Sequence, residues 1–160
     1  MIRPVRIGDA RAISEIYNYY IEHTVITFEE VSLSPGDMEN RIRDVSANYP
    51  WFVYEEAGEL IGYAYVNKWK ERSAYRFAAE DSLYLKHGQE GRGLGGKLMA
   101  SLLEAVKKTG IHSIVAGITL PNERSVGLHE KWGFTQIACF KEIGYKLDQW
   151  LDVGYWELLL

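Results

Sequence analysis

Residues 87–98 read His-Gly-Gln-Glu-Gly-Arg-Gly-Leu-Gly-Gly-Lys-Leu, a glycine-rich turn between an apolar segment ending Leu83-Tyr84-Leu85 and a run of leucines at helical spacing. Gly91, Gly93 and Gly96 satisfy G-x-G-x-x-G, the dinucleotide fingerprint, and residues 91–97 satisfy most of the phosphate-loop pattern G-x-x-x-x-G-K-[ST]. Context separates the two. Leu98 offers no hydroxyl to Mg²⁺ where a phosphate loop needs Ser or Thr. A dinucleotide fold places this turn after the first strand of the domain and needs a ribose-binding acid ~20 residues further on, at the end of the next strand. Here Val115-Ala116-Gly117 stands at that place, and at least three strand-like segments precede the turn. What both patterns share remains: glycines let backbone N–H groups approach an anion, and the following helix points its positive end at it. The competing reading is a ligand-free turn, which needs one glycine and not four.

Upstream of the turn, residues 3–7 predict a first strand. Asp9 predicts an N-cap before a helix with Ile13, Ile16, Tyr17, Tyr20 and Ile21 on one face. Ser34-Pro35 with Asp37 is a helix start with a capping box, and Met38, Ile42 and Val45 form its stripe. Residues 51–54 and 60–66 predict a hairpin, 75–85 a long strand, and Leu94, Leu98, Leu102 and Ala105 a helix ending at Gly110. Strand 114–118, helix 122–131 and strands 134–141 and 153–160 complete the order β-α-α-β-β-β-α-β-α-β-β. That order describes an α/β (α+β) mixed sheet flanked by helices, with residues 1–160 as one domain.

Composition sets the bounds. The chain has 47% hydrophobic and 25% charged residues and a formal net charge of -4, which fits a soluble globular protein and argues against a nucleic-acid partner. One cysteine, Cys139, excludes an internal disulfide, and MIRPVRIGDA shows no signal-peptide stretch, so a cytoplasmic location is expected. No apolar run is long enough for a bilayer, so no membrane partner is expected, and no His/Cys/Asp/Glu spacing suggests a metal.

Three further segments sharpen the turn. Ala-Glu-Asp-Ser-Leu-Tyr-Leu (79–85), Leu-Pro-Asn-Glu-Arg-Ser-Val-Gly-Leu-His-Glu-Lys-Trp-Gly-Phe (120–134) and Trp-Leu-Asp-Val-Gly-Tyr-Trp (150–156) flank a Gly-Arg-Gly-Leu-Gly that resembles motif A of the GNAT acetyltransferases. Together they are similar to the phosphinothricin and methionine sulfone/sulfoximine N-acetyltransferase branch, across nearly the whole chain. Glu90 departs from the motif's Gln or Arg, and Arg92 is the nearby positive charge.

The resemblance implies a GNAT fold: a splayed, mixed seven-stranded sheet with about four helices. It also implies acetyl-CoA as co-substrate and a homodimer. It places acetyl-CoA against Leu83, Tyr84, Leu85, Glu90, Gly91, Arg92, Gly93, Leu94, Gly95, Gly96, Asn122 and Ser125, with backbone N–H groups near Leu83 to Leu85 meeting the thioester oxyanion.

Acetyl transfer needs an amine stripped of a proton, a stabilised oxyanion and a neutralised thiolate. Glu80, in an otherwise apolar-aromatic strand, is the expected base, and burial would raise its pKa. Without the resemblance it reads as a solvated strand glutamate. Asp81, pointing to the opposite face, is left outside the site. His129 is the expected proton donor to sulfur; its plain alternative is a core or surface histidine. Arg72 and Arg76 are candidates for the carboxylate of a small amino-acid acceptor, with Phe28, Trp69, Ala74 and Tyr75 around them. Lys70 reads as solvated surface. An acetyltransferase acting on protein N-termini or lysines, and a non-catalytic acyl-CoA-binding module, remain the alternatives. Bulky aromatics favour a small acceptor, and a binding module has no need of Glu80 and His129.

Overall fold

The computed structural model describes residues 1–160. Seven strands form one sheet: β1 (Ile2–Pro4), β2 (Trp51–Glu56), β3 (Glu59–Lys68), β4 (Ala78–Leu85), β5 (Ser113–Leu120), β6 (Thr135–Lys146) and β7 (Gln149–Leu159). Their order across the sheet is β1-β2-β3-β4-β5-β7-β6, antiparallel throughout except for the parallel β4–β5 pair. Four helices flank it: α1 (Ala10–His23), α2 (Pro35–Ser46), α3 (Leu94–Val106) and α4 (Glu123–Lys131).

The helix starts follow local chemistry. Ser34 Oγ accepts the Asp37 N–H at 3.1 Å while the Asp37 carboxylate accepts the Ser34 N–H at 2.9 Å, which satisfies two otherwise orphaned donors of α2. Asp9 precedes α1 as expected but does not cap it. Its carboxylate takes Arg3 at 2.8 Å and the Arg6 N–H at 2.7 Å, tying β1 to the helix entry.

Alternation along the strands sends side chains to two cores. On one face α3 buries Leu94, Leu98, Met99, Leu102 and Val106 against Ala64, Val66, Ala79, Ile114, Ala116 and Trp156. On the other, Ile13, Ile16, Ile21, Met38 and Ile42 of α1 and α2 pack on Trp51, Val53 and Tyr63. Leu98, the residue that argued against a phosphate loop, is fully buried in the first core.

Several expected boundaries move. The first strand stops at Pro4, and a 3-10 turn occupies Ile7–Asp9. The strand expected from residue 75 begins at Ala78, because Ser73–Tyr75 winds into a 3-10 turn. The last two strands are much longer than residues 134–141 and 153–160 suggested, and meet in a hairpin. Its turn residues, Leu147 and Asp148, both have positive φ (51° and 58°). Tight hairpins favour that geometry, but usually with Asn-Gly or Asp-Gly, so Leu-Asp carried no signal.

One feature of the sheet makes the site. β4 and β5 pair only from Ala78–Ser113 to Glu80–Val115, although β4 continues to Leu85 and β5 to Leu120. Beyond Glu80 the two strands diverge and the sheet opens into a wedge.

Candidate active site

A cavity of about 890 Å³ fills the wedge and reaches the glycine turn. The ladder between β3 and β4 decides which backbone groups line it. Lys86 N–H bonds to Ile61 C=O at 2.7 Å, and Val66 N–H turns away from β4 to Pro50 C=O at 3.3 Å. With the register Tyr63↔Tyr84 and Tyr65↔Ser82, the antiparallel alternation commits Tyr84 and Ser82 N–H to β3. The N–H groups of Asp81, Leu83 and Leu85 face the opened side. The expected donors near Leu83 to Leu85 are thus Leu83 and Leu85. Tyr84 is corrected from backbone donor to a wall of the cavity, its ring packed with Tyr17, Tyr20 and Tyr63.

At the turn, Gly91 and Gly93 adopt φ of +79° and +75°, a region that side chains resist, and Gly93 is the N-cap of α3. With Leu94, Gly95 and Gly96 they line the cavity, so the start of a helix, whose first N–H groups have no partner within the helix, lies against it. These features fit the pyrophosphate of a CoA thioester. Glu90 also lines the cavity, and its carboxylate accepts Gly88 N–H at 2.9 Å. That acid shapes the turn where the motif would have a polar or basic contact. Arg92 does not supply the missing charge: its guanidinium is paired with Glu56 at 2.8 Å and lies outside the cavity wall. Arg124, at the start of α4, lines the cavity and was not singled out from the sequence.

Glu80 lies on the α1 face of β4. Burial, then the neighbouring Asp81 charge, push its carboxyl up to about 7, with Lys70 opposing them. Its Oε1 sits where a Cβ on Gly117 would come within 3.2 Å, and the same Cβ would meet the Tyr155 ring at 3.2 Å. Gly117 therefore leaves the space beside the carboxylate open. An isolated glycine within an apolar strand signals such a close approach, and this signal was available in Val115-Ala116-Gly117.

His129 and Asp81 are the larger surprise. Alternation does send Asp81 to the face opposite Glu80, but that face is the interior beneath α4, not solvent. Asp81 is 8% exposed and His129 5% exposed, with Nε2 and Oδ2 2.9 Å apart. Leaving Asp81 outside the site was therefore wrong. Asn122 Oδ1 caps α4 by accepting Ser125 N–H at 3.1 Å, and both residues line the cavity.

The acceptor-side expectations divide. Phe28 lines the cavity, held against Gly144, where a Cβ would collide with its ring. Trp69 stands edge-on to Tyr155 at 5.8 Å. Lys70, expected as plain surface, is exposed but lies 5.1 Å over the Trp69 ring. Arg72, Ala74 and Tyr75 are exposed on the 3-10 turn and its lead-in and are not part of the cavity wall. Arg76 is corrected too: its guanidinium lies over Phe77 at 4.4 Å and donates to Ser73 C=O, away from the cavity.

A family model described as "Acetyltransferase (GNAT) domain" matches residues 2–154. A phosphinothricin N-acetyltransferase of Streptomyces viridochromogenes is 37% identical over 156 residues, covering 98% of this chain and 85% of that protein. An L-methionine sulfoximine/L-methionine sulfone acetyltransferase of Salmonella typhimurium is 35% identical, covering 96% and 90%. Among solved structures, a GNAT superfamily phosphinothricin acetyltransferase from Sinorhizobium meliloti, in complex with acetyl-CoA, superposes with a TM-score of 0.96 at 34% identity, covering 100% and 88%. This chain belongs to the GNAT acetyltransferase family, and its co-substrate is acetyl-CoA.

Proposed function

We propose that the enzyme acetylates the α-amine of a small amino acid or analogue, of the phosphinothricin and methionine sulfone/sulfoximine type. The observation that carries this reading is Glu80: a carboxyl raised to about 7, inside a cavity and beside the gap at Gly117. Such a group is half ionised at neutral pH and can take a proton from an ammonium, directly or through a water. Leu83 and Leu85 N–H groups receive the oxyanion, and water returns a proton to sulfur, because both His129 ring nitrogens are engaged, Nδ1 by Ser125 C=O and Nε2 by Asp81. Gly91, Gly93 and the start of α3 hold the pyrophosphate, with Arg124 as a cation on the same cavity wall. The free amide nitrogen of Asn122 and the Ser125 hydroxyl contact the pantetheine arm. For the acceptor's carboxylate the cation at hand is Lys70, which lies over the Trp69 ring and whose charge is felt at Glu80.

The test is CoA release from acetyl-CoA against free amino acids, methionine sulfone, methionine sulfoximine, phosphinothricin and short peptides with free N-termini. A free amino acid or analogue should exceed every peptide in kcat/KM by about 10²-fold or more. Turnover of none of them, or a preference for peptides, overturns the assignment.

We further propose a cytoplasmic homodimer. β6 is the outer edge of the sheet, and its hairpin exposes Ile137, Phe140, Ile143, Tyr145 and Trp150, the last 64% accessible. An unpaired edge carrying contiguous apolar side chains suits a second copy of the chain. Sedimentation velocity at micromolar concentration should show a dimer, and Ile143→Asp with Trp150→Ser should give monomer; a wild-type monomer sinks the proposal.

A further inference from the structure

We propose that Arg124 and Lys131, two exposed cations on one face of α4, bind the phosphate groups of acetyl-CoA and replace the side-chain charge that the glycine turn lacks. This rests on acetyl-CoA as the co-substrate and is independent of the acceptor amine.

The charges on the cavity wall single out this pair. CoA carries a pyrophosphate and a 3′-phosphate, while the chain that must hold it has a formal net charge of -4. Glu80, Asp81 and Glu90 put acids on the wall itself. Arg124 and Lys131 are its only arginine or lysine residues. The cations closest to the turn in sequence are engaged elsewhere. Lys86 is paired with Glu59, Arg92 with Glu56 at 2.8 Å, and Lys97 lies over the Tyr54 ring. The start of α3 offers the equivalent of only about half a unit charge, so a polyanion held beside Glu90 needs full cations as well.

The geometry of α4 sets the two side chains around the turn. Arg124, Leu128 and Lys131 follow one another at intervals of four and three residues and so share one helix face. Leu128 Cδ2 would be 3.3 Å from a Cβ on Gly95, the second residue of α3, so this face packs against the start of that helix. Arg124 and Lys131 stand about 6 Å and about 4.5 Å along the axis on either side of that contact. Gly127 lies between them, and a Cβ there would meet nothing within 4 Å, which leaves the strip between the charges open.

The Arg124 charge already reaches the turn. Tyr20 donates its hydroxyl to Leu85 C=O at 2.6 Å, at the end of β4 where the turn begins. Burial and then the Glu90 carboxylate push that hydroxyl up to about 12, while Arg124 pulls it the other way. Neither Arg124 nor Lys131 has an ion-pair partner within the chain. The acids around them are committed: Glu90 accepts Gly88 N–H at 2.9 Å, and Glu130 accepts Trp156 Nε1–H at 3.2 Å. Both cations are exposed, so each phosphate contact is screened by salt and is weaker than a buried pair.

Calorimetric binding of CoA, with no acceptor present, tests this. Arg124→Gln should weaken CoA about tenfold, and Arg124→Gln with Lys131→Gln about 30-fold or more. Arg124→Glu should lose more than Arg124→Gln. Raising the salt from about 50 to about 500 mM should weaken CoA binding to the wild type and change the double variant much less. Dephospho-CoA, which lacks the 3′-phosphate, separates the two phosphates: a loss that persists with it marks a pyrophosphate contact, and a loss that disappears marks a 3′-phosphate contact. Pantetheine, which has no phosphate, should bind all the proteins alike in an NMR titration. In turnover the KM for acetyl-CoA should rise with kcat little changed, because the phosphates lie far from the thioester. A double variant that binds CoA within about twofold of wild type overturns the proposal, and so does an equal loss for pantetheine. If no amine is acetylated, the acceptor reading fails, and CoA binding still decides the two cations.

Discussion

Replacing Glu80 by glutamine is expected to lower kcat/KM for acetyl transfer by about 10²–10⁴-fold while leaving acetyl-CoA affinity intact, because the amide keeps the shape and loses the base. The wild-type rate should fall as pH drops through about 7, where burial and the adjacent Asp81 place the Glu80 titration. The glutamine variant should lack that acid limb. Stability should move the other way. A carboxyl whose folded pKa lies above its unfolded value near 4.5 binds more protons when folded. Its ionisation therefore costs stability progressively between those values, and fully above about 7. The glutamine variant avoids that cost, so above pH 7 it should unfold no more easily than wild type, with a gain of about 1–3 kcal/mol as the upper range. Activity lost together with stability would mean that Glu80 acts as a structural group, and full activity in the variant would remove it from the mechanism.

The second large effect concerns the scaffold. Leu98→Ala should destabilise the protein by about 2–5 kcal/mol, the range for deleting a fully buried leucine from a packed core. Leu98 is 0% exposed and sits on the first turn and a half of α3, directly behind the glycine turn. Denaturant unfolding should show the loss as a lower midpoint with an unchanged slope. Acetyl-CoA should raise that midpoint in both proteins, since a ligand that binds only the folded state stabilises it. A loss below about 1 kcal/mol would mean that the core around α3 repacks freely, and that the turn is not held by it.

The capping box at Ser34 and Asp37 and the stripe of Leu94, Leu98 and Leu102 depend on spacings of three and four residues, so reading them needs no tertiary information. The glycine turn is similar: left-handed φ at Gly91 and Gly93 is a local demand, and glycine answers it locally. The four-helix, seven-strand order follows from such signals in sequence.

The hairpin turn at Leu147 and Asp148 was not legible, because the pairing of two long strands imposes the turn against local preference. Arg92 and Arg76 were misplaced for a related reason. A guanidinium takes whichever partner the fold brings near, and here those partners are Glu56 and the Phe77 ring.

Local chemistry along the chain was enough for an anion-binding turn, its helix, and a glutamate in an apolar strand upstream. The wedge came from packing. Strand separation after Glu80 turns the Leu83 and Leu85 donors into a site and makes both faces of β4 interior. Alternation could say that Glu80 and Asp81 point apart, but whether a face meets water or another helix is set by packing. Helix α4 covers Asp81, brings His129 to 2.9 Å, and makes a residue left outside the site the buried partner of the histidine.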